Sequence, residues 1–213
     1  MSDKEKKIPV PKEFTEGQLM TQSETLQRST RQRHLYIGLP KEITLQENRV
    51  ALVPSSVSTL VRHGHRIVME TGAGEKSKFS DHDYSEAGAE IAYSPEDVYK
   101  ADVIIKVAPP TLDEIDLMRP NQLLISPLQL PIINAEYIYR LKNKRVIALA
   151  MEYIKDDSGY FPIVRIMSEM AGISAMLTAG ELLSNTSGGA GVLLGGISGV
   201  PSAKVVILGA GIV

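Results

Sequence analysis

The stretch Lys204-Val-Val-Ile-Leu-Gly-Ala-Gly-Ile-Val213 decides how the chain is read. A charged residue opens it, four apolar residues follow, and Gly209-x-Gly211 comes next. A strand covered on both faces of a parallel sheet reads as such a continuous apolar run. At the carboxyl end of that strand, glycines let the backbone of a doubly wound fold approach a dinucleotide pyrophosphate. The complete fingerprint is G-x-G-x-x-G, then a helix, then an acidic residue roughly 20 positions on. Just the first half lies before Val213. Alone, the half fingerprint fits an ordinary strand-to-loop turn as well as a phosphate loop, so the residues upstream have to separate the two.

Immediately upstream lie two glycine-dense pieces, Gly188-Gly-Ala-Gly191 and Gly195-Gly-Ile-Ser-Gly199. Val192, Leu193, Leu194 and Ile197 make this segment too apolar for a free linker, so its glycines point to close backbone approach. Before it, residues 166–183 carry a helical pattern rich in small residues, among them Ala171, Gly172, Ser174, Ala175, Ala179 and Gly180. Each glycine costs such a helix about 1 kcal/mol relative to alanine. A helix that accepts this cost bridges two domains or packs closely on a partner helix.

Farther back the chain alternates. Apolar runs at 35–38, 66–70, 90–93, 102–107, 122–125 and 145–150 read as strands. Helices fall between them: one capped by Ser55 or Ser56 and ended by Gly64, one capped by Ser80, one opened by Ser94-Pro95, one at 112–118 and one capped by Asn134. This rhythm predicts an α/β fold, a flavodoxin-like or Rossmann-like parallel sheet with helices on both faces. A long connecting helix and the first strand of a truncated Rossmann domain follow it. Residues 1–35 are polar and charged and read as a solvated tail.

Composition bounds the function. The chain has 213 residues, 43% of them apolar and 23% charged, which suits a globular protein. A net charge of −2 gives no reason to expect nucleic acid as a partner. With no cysteine there is no disulfide framework and no thiolate metal site, consistent with a cytoplasmic chain. No apolar run reaches the roughly 18 residues of a membrane span, and the polar N-terminus lacks the core of a signal peptide. The histidines His34, His63, His65 and His82 show no metal-ligand spacing, and no metal is expected.

Two cations stand out. Arg49 lies in Gln46-Glu-Asn-Arg-Val-Ala-Leu-Val-Pro54, just before the first helix. Lys106 sits near the carboxyl end of an otherwise apolar run, where open α/β sheets bind their ligands. A lysine there suits an anionic substrate, and a structural ion pair fits equally well.

Taken together the residues resemble the alanine dehydrogenase family, whose near relative is the alpha chain of the proton-pumping nicotinamide nucleotide transhydrogenase. The resemblance rests on Gly38-Leu-Pro-Lys-Glu42 with Glu47-Asn-Arg-Val-Ala-Leu-Val-Pro54, on Glu70-Thr-Gly-Ala-Gly74, and on Ile105-Lys-Val107. It continues through Met167-Ser-Glu-Met-Ala-Gly172, both glycine-dense pieces, and Val205-Val-Ile-Leu-Gly-Ala-Gly211. It implies a polar tail at 1–35, a substrate-binding domain at 36–162, and at 163–213 the connecting helix, glycine-rich segment and first strand of an incomplete NAD-binding domain.

The implied activity is NAD-dependent oxidative deamination of L-alanine to pyruvate and ammonium, in a homo-oligomer, often a hexamer in this family. By resemblance Arg49 grips the substrate carboxylate, Lys106 touches carboxylate and keto oxygen, Ser168 contacts the nicotinamide, and Gly209, Gly211 and Ile212 begin the pyrophosphate loop. One position departs: Gln129, in Ile125-Ser-Pro-Leu-Gln-Leu130, stands where the dehydrogenases carry an acid/base histidine. Glutamine hydrogen-bonds an oxygen but moves no proton near neutral pH. A transhydrogenase-like subunit that passes hydride to a partner, or a dehydrogenase with altered substrate, is the alternative. The resemblance also implies that residues 1–213 have no dehydrogenase activity alone, and that without a helix returning from farther along the chain an apolar sheet face stays uncovered.

Overall fold

The computed structural model describes residues 34–44, 46–131, 133–209 and 211–212. The expected polar tail lies outside them apart from His34 and Leu35. Among the described residues six parallel strands form one sheet: β1 Tyr36–Leu39, β2 Arg66–Glu70, β3 Glu90–Ala92, β4 Val103–Ile105, β5 Leu123–Ser126 and β6 Ile147–Ala150. Their spatial order is β3-β2-β1-β4-β5-β6. This is the Rossmann order, which decides between the two expected topologies.

The helices are α1 Pro54–Arg62, α2 Asp81–Glu86, α3 Pro95–Val98, α4 Leu112–Leu117, α5 Ala135–Asn143 and α6 Pro162–Leu183. Local chemistry starts most of them. Ser80 with Asp83, and Thr111 with Glu114, form reciprocal capping boxes on α2 and α4. Asn134 accepts the Tyr137 N–H at 2.9 Å on α5. At α1 the expected serine cap is absent. Val53 holds the N-cap without a side-chain bond, and Pro54 takes the first helical position. The fixed φ of proline suits that position, whose N–H has no helical partner anyway.

Strand alternation feeds two cores. Ile37, Leu39, Ile67, Met69 and Val103 meet Val57 of α1 and Tyr84 of α2. On the other face Val68, Ile104 and Leu124 meet Val98, Ile115, Tyr137 and Leu141 of α3, α4 and α5. Gly38 lets the end of α3 rest directly on β1: a Cβ there would stand 2.6 Å from the Val98 carbonyl oxygen and 3.0 Å from Ala101 Cβ. Gly38→Ala is expected to cost about 2 kcal/mol, within the ~1–3 kcal/mol of an overpacked core. A lower urea midpoint at unchanged slope would register it.

Toward β6 the first of these faces is open. Leu123 and Ile125 pair in register with Ile147 and Leu149, which are 58% and 44% exposed. This is an uncovered apolar strip of the kind the resemblance leads one to expect. α6 has no buried residue. The glycine-rich segment after it folds back on its end: the Gly191 N–H donates to Leu183 O at 2.8 Å, and a Cβ on Gly189 would fall 2.1 Å from Leu182 O. No described helix is long and apolar enough to cross a membrane.

The expected strand at 205–208 does not form. Those residues are irregular, and Leu208 is 95% exposed. A strand exists through ladder hydrogen bonds to a neighbour, and no described strand lies beside this one.

Candidate active site

The strand order reverses between β1 and β4, and loops leaving the two strands diverge there. The carboxyl ends of β1, β4, β5 and β6 border an open cleft of about 860 Å³. The loop after β1 contributes Glu47 and Arg49, that after β5 contributes Gln129, and the turn after β6 contributes Met151 and Glu152. The first half of α6 closes the far side with Val164, Met167, Ser168 and Ala171. The wall is mainly apolar with a few polar groups, the usual balance of a small-molecule site.

Arg49 is held on one edge by Glu47. Nε donates to Oε1 at 2.8 Å, Nη2 to Oε2 at 2.6 Å, and the Arg49 backbone N–H to Oε1 at 3.0 Å. These bonds hold the Glu47 carboxyl below the usual carboxylate range and raise the guanidinium. Nη1 reaches the Met167 sulfur at 3.5 Å across the cleft.

Gln129 has φ = 51°, a left-handed conformation that few non-glycine residues adopt. Glu152 secures it. The Gln129 and Leu128 N–H groups donate to Oε1 at 2.7 and 3.0 Å, and Leu128 also reaches Oε2 at 3.2 Å. Strain of this kind persists where the surroundings over-determine it, and it gathers at functional sites.

Lys106 lies just past β4 and is fully buried. Nζ donates to Glu114 Oε1 at 2.8 Å and sits 3.0 Å from Glu42 Oε2 as an ion pair without hydrogen-bond alignment. Glu42 Oε1 accepts the Val107 N–H at 2.6 Å, and Glu114 Oε2 accepts the Thr111 N–H at 2.7 Å. The Tyr99 hydroxyl donates to Glu114 Oε1 at 3.2 Å, and burial pushes that phenol well up.

Of the residues singled out in the sequence, the structure brings Arg49, Gln129 and Ser168 to one cleft. It does not bring Lys106 there. Val107 and Ala108, next in the chain, form that part of the wall. Gly209, Gly211 and Ile212 also lie off it, and Gly209 has φ = 120°. His63 Nδ1 lies 2.7 Å from Thr59 O at the end of α1, a helix-end contact.

Sequence reasoning missed the carboxylates Glu42, Glu47, Glu114 and Glu152. Glu114 carried a signal, since Thr111-x-x-Glu114 is a capping-box pattern. Its second bond, to Lys106, has no local signature.

Residues 38–171 match the family model described as alanine dehydrogenase/PNT, N-terminal domain, and residues 175–213 match the C-terminal domain of that family. The chain is 41% identical over 179 residues to an alanine dehydrogenase of Bacillus subtilis, covering 84% of this chain and 47% of that protein. It is 41% identical over 176 residues to one from Staphylococcus epidermidis, covering 82% of this chain and 47% of that protein. The chain thus spans about half the length of the curated relatives it matches. Among solved structures, an L-alanine dehydrogenase superposes with a TM-score of 0.78 at 41% identity, over 83% of this chain and 48% of that one. A transhydrogenase from Sinorhizobium meliloti superposes with a TM-score of 0.62 at 29% identity, over 68% of this chain and 44% of that one.

Proposed function

We propose, from the premise that this chain belongs to the alanine dehydrogenase/PNT family, that it supplies the substrate-binding part of an NAD-dependent L-alanine dehydrogenase. The reaction is L-alanine, NAD⁺ and water to pyruvate, ammonium and NADH. The observation that carries this reading is Arg49, with one edge of its fork clamped and Nη1 turned to an apolar cleft at the strand ends. A planar fork with one edge clamped and the other turned to the cleft suits a small carboxylate.

Arg49 orients the substrate by its carboxylate. Gln129 hydrogen-bonds a substrate oxygen without moving a proton. Lys106 anchors the wall behind Val107, and reaches a substrate oxygen only by exchanging Glu42 or Glu114 for it. The apolar wall with the Ser168 hydroxyl fits a flat ring bearing an amide, so Ser168 is assigned to the nicotinamide of NAD. When bound, that ring supplies the hydride acceptor. Gly209, Gly211 and Ile212 keep their assignment to the pyrophosphate loop, which requires a sheet to present them. We assign residues 36–162 to the substrate-binding domain and 163–213 to the connection and start of the NAD-binding domain. The exposed apolar α6 supports a homo-oligomer, and we place the protein in the cytoplasm.

Gln129 favours a second reading, a transhydrogenase-like subunit that needs no substrate acid/base group. Initial rates of NADH oxidation by the full-length protein, with pyruvate and ammonium, separate the two. Turnover is expected. Gln129→His should raise it on the order of tenfold, below the ~10²–10⁴-fold of a fully positioned acid/base. No turnover with any 2-oxo acid, in either form, would overturn the dehydrogenase reading in favour of the second.

A further inference from the structure

A guanidinium has five N–H donors: one on Nε and two on each Nη. Glu47 uses the Nε donor and one Nη2 donor. Among the described residues this leaves both Nη1 donors and the second of Nη2 without an oxygen partner, and one donor of each nitrogen makes up the end-on edge that receives a carboxylate bidentately. Among the described residues Nη1 meets just the Met167 sulfur, a weak acceptor. The acid is the fixed member of the pair: the Glu47 side chain is 12% exposed, that of Arg49 47%. Its backbone is fixed as well. The Glu47 N–H donates to Thr44 O at 3.1 Å, Lys76 Nζ donates to Glu47 O at 3.2 Å, and Ser77 Oγ donates to Asn48 O at 2.5 Å.

We infer that Glu47 is a positioning residue that sets the plane of the Arg49 guanidinium, keeping its Nη1 edge turned to the cleft for a small monocarboxylate ligand. This rests on the reading of Arg49 as the carboxylate contact. Glu47 does not compete with the ligand, because the two carboxylates take different edges of one fork. Without Glu47 the four rotatable bonds of Arg49 must be ordered by the ligand itself, and affinity falls before chemistry does.

A double-mutant cycle in the full-length protein tests this, with KM for pyruvate and kcat read separately. Glu47→Gln keeps the shape of the side chain and loses the charge and one acceptor oxygen. KM is expected to rise about tenfold, in line with the loss of a charge-assisted hydrogen bond, with kcat falling by much less. In an Arg49→Ala background the same substitution should change KM by less than about twofold, because the group it acts through is gone. An unchanged KM overturns the inference, and a lowered one makes Glu47 a competitor for the fork. An equal rise in both backgrounds overturns it too, since Glu47 would then act elsewhere. Should Glu47→Gln fail to fold, Glu47→Asp is read through the same cycle, with a smaller rise expected in the parent and none beside Arg49→Ala. If Arg49→Ala itself leaves KM unchanged, the carboxylate clamp of the proposed function falls, a result distinct from failure of the Glu47 step alone.

Discussion

Arg49→Ala is expected to lower kcat/KM for pyruvate by about a hundredfold or more, chiefly through KM. A bidentate charge-assisted contact removed from one partner costs about 2–5 kcal/mol. Part of that is the penalty on the group left behind, and here two groups are left: the ligand carboxylate and Glu47, whose side chain is 12% exposed. Arg49→Lys should recover only part of the loss. An ammonium is a point charge and cannot hold Glu47 on one edge while presenting a second edge to the ligand. The fold should survive, because the Arg49 side chain is 47% exposed and belongs to no core cluster. Steady-state kinetics with a parallel thermal melt checks both statements. A change below about threefold would remove Arg49 from the site.

Lys106→Met should cost about 3–5 kcal/mol of folding stability, the usual loss when one member of a buried ion pair is removed. Methionine keeps the volume, so the cost is electrostatic. Glu42 and Glu114 would remain buried with no cation between them. Against a total of about 5–15 kcal/mol this is a large share. In a chain of this size it amounts to a fall of roughly 10 °C in melting midpoint. Adding Glu42→Gln and Glu114→Gln together should return part of the loss, since the variant then buries no unpaired charge. Chemical denaturation of the single and triple variants measures both effects. A loss below about 1 kcal/mol for Lys106→Met would mean that the ammonium is not committed to its two acids, which would favour its direct contact with substrate.

The two cations show how far the sequence reached. Both stood out from pattern and resemblance, and both carry acidic partners. For Arg49 the partner is two residues away, and for Lys106 one partner lies on another loop and the other on α4. The sequence left Lys106 open between a ligand contact and a structural pair. The structure supplies the pair. Gln129 was legible as a departure from the family pattern. Its left-handed backbone and the carboxylate that secures it were not, because Glu152 comes from the next strand's turn.

The strand at 205–208 is the instructive difference. Its residues have strand composition, yet composition selects a strand only where neighbours offer the ladder and a covering layer. The strands of the sheet all have the ladder, and β1, β2 and β4 also have the covering layer from α1–α5.

Chain order, helix starts and the positions of the apolar strands are therefore set by the sequence alone, because each depends on residues within a few positions of one another. Caps, proline at the first turn and two-residue alternation are local physics. Strand order, the pairing of Lys106 with Glu42 and Glu114, the edge of Arg49 that stays free, and the failure of 205–208 to become a strand belong to the tertiary structure. Each depends on which distant segments the sheet brings side by side, and a buried charge or an unpaired backbone has no stable state until those neighbours are in place.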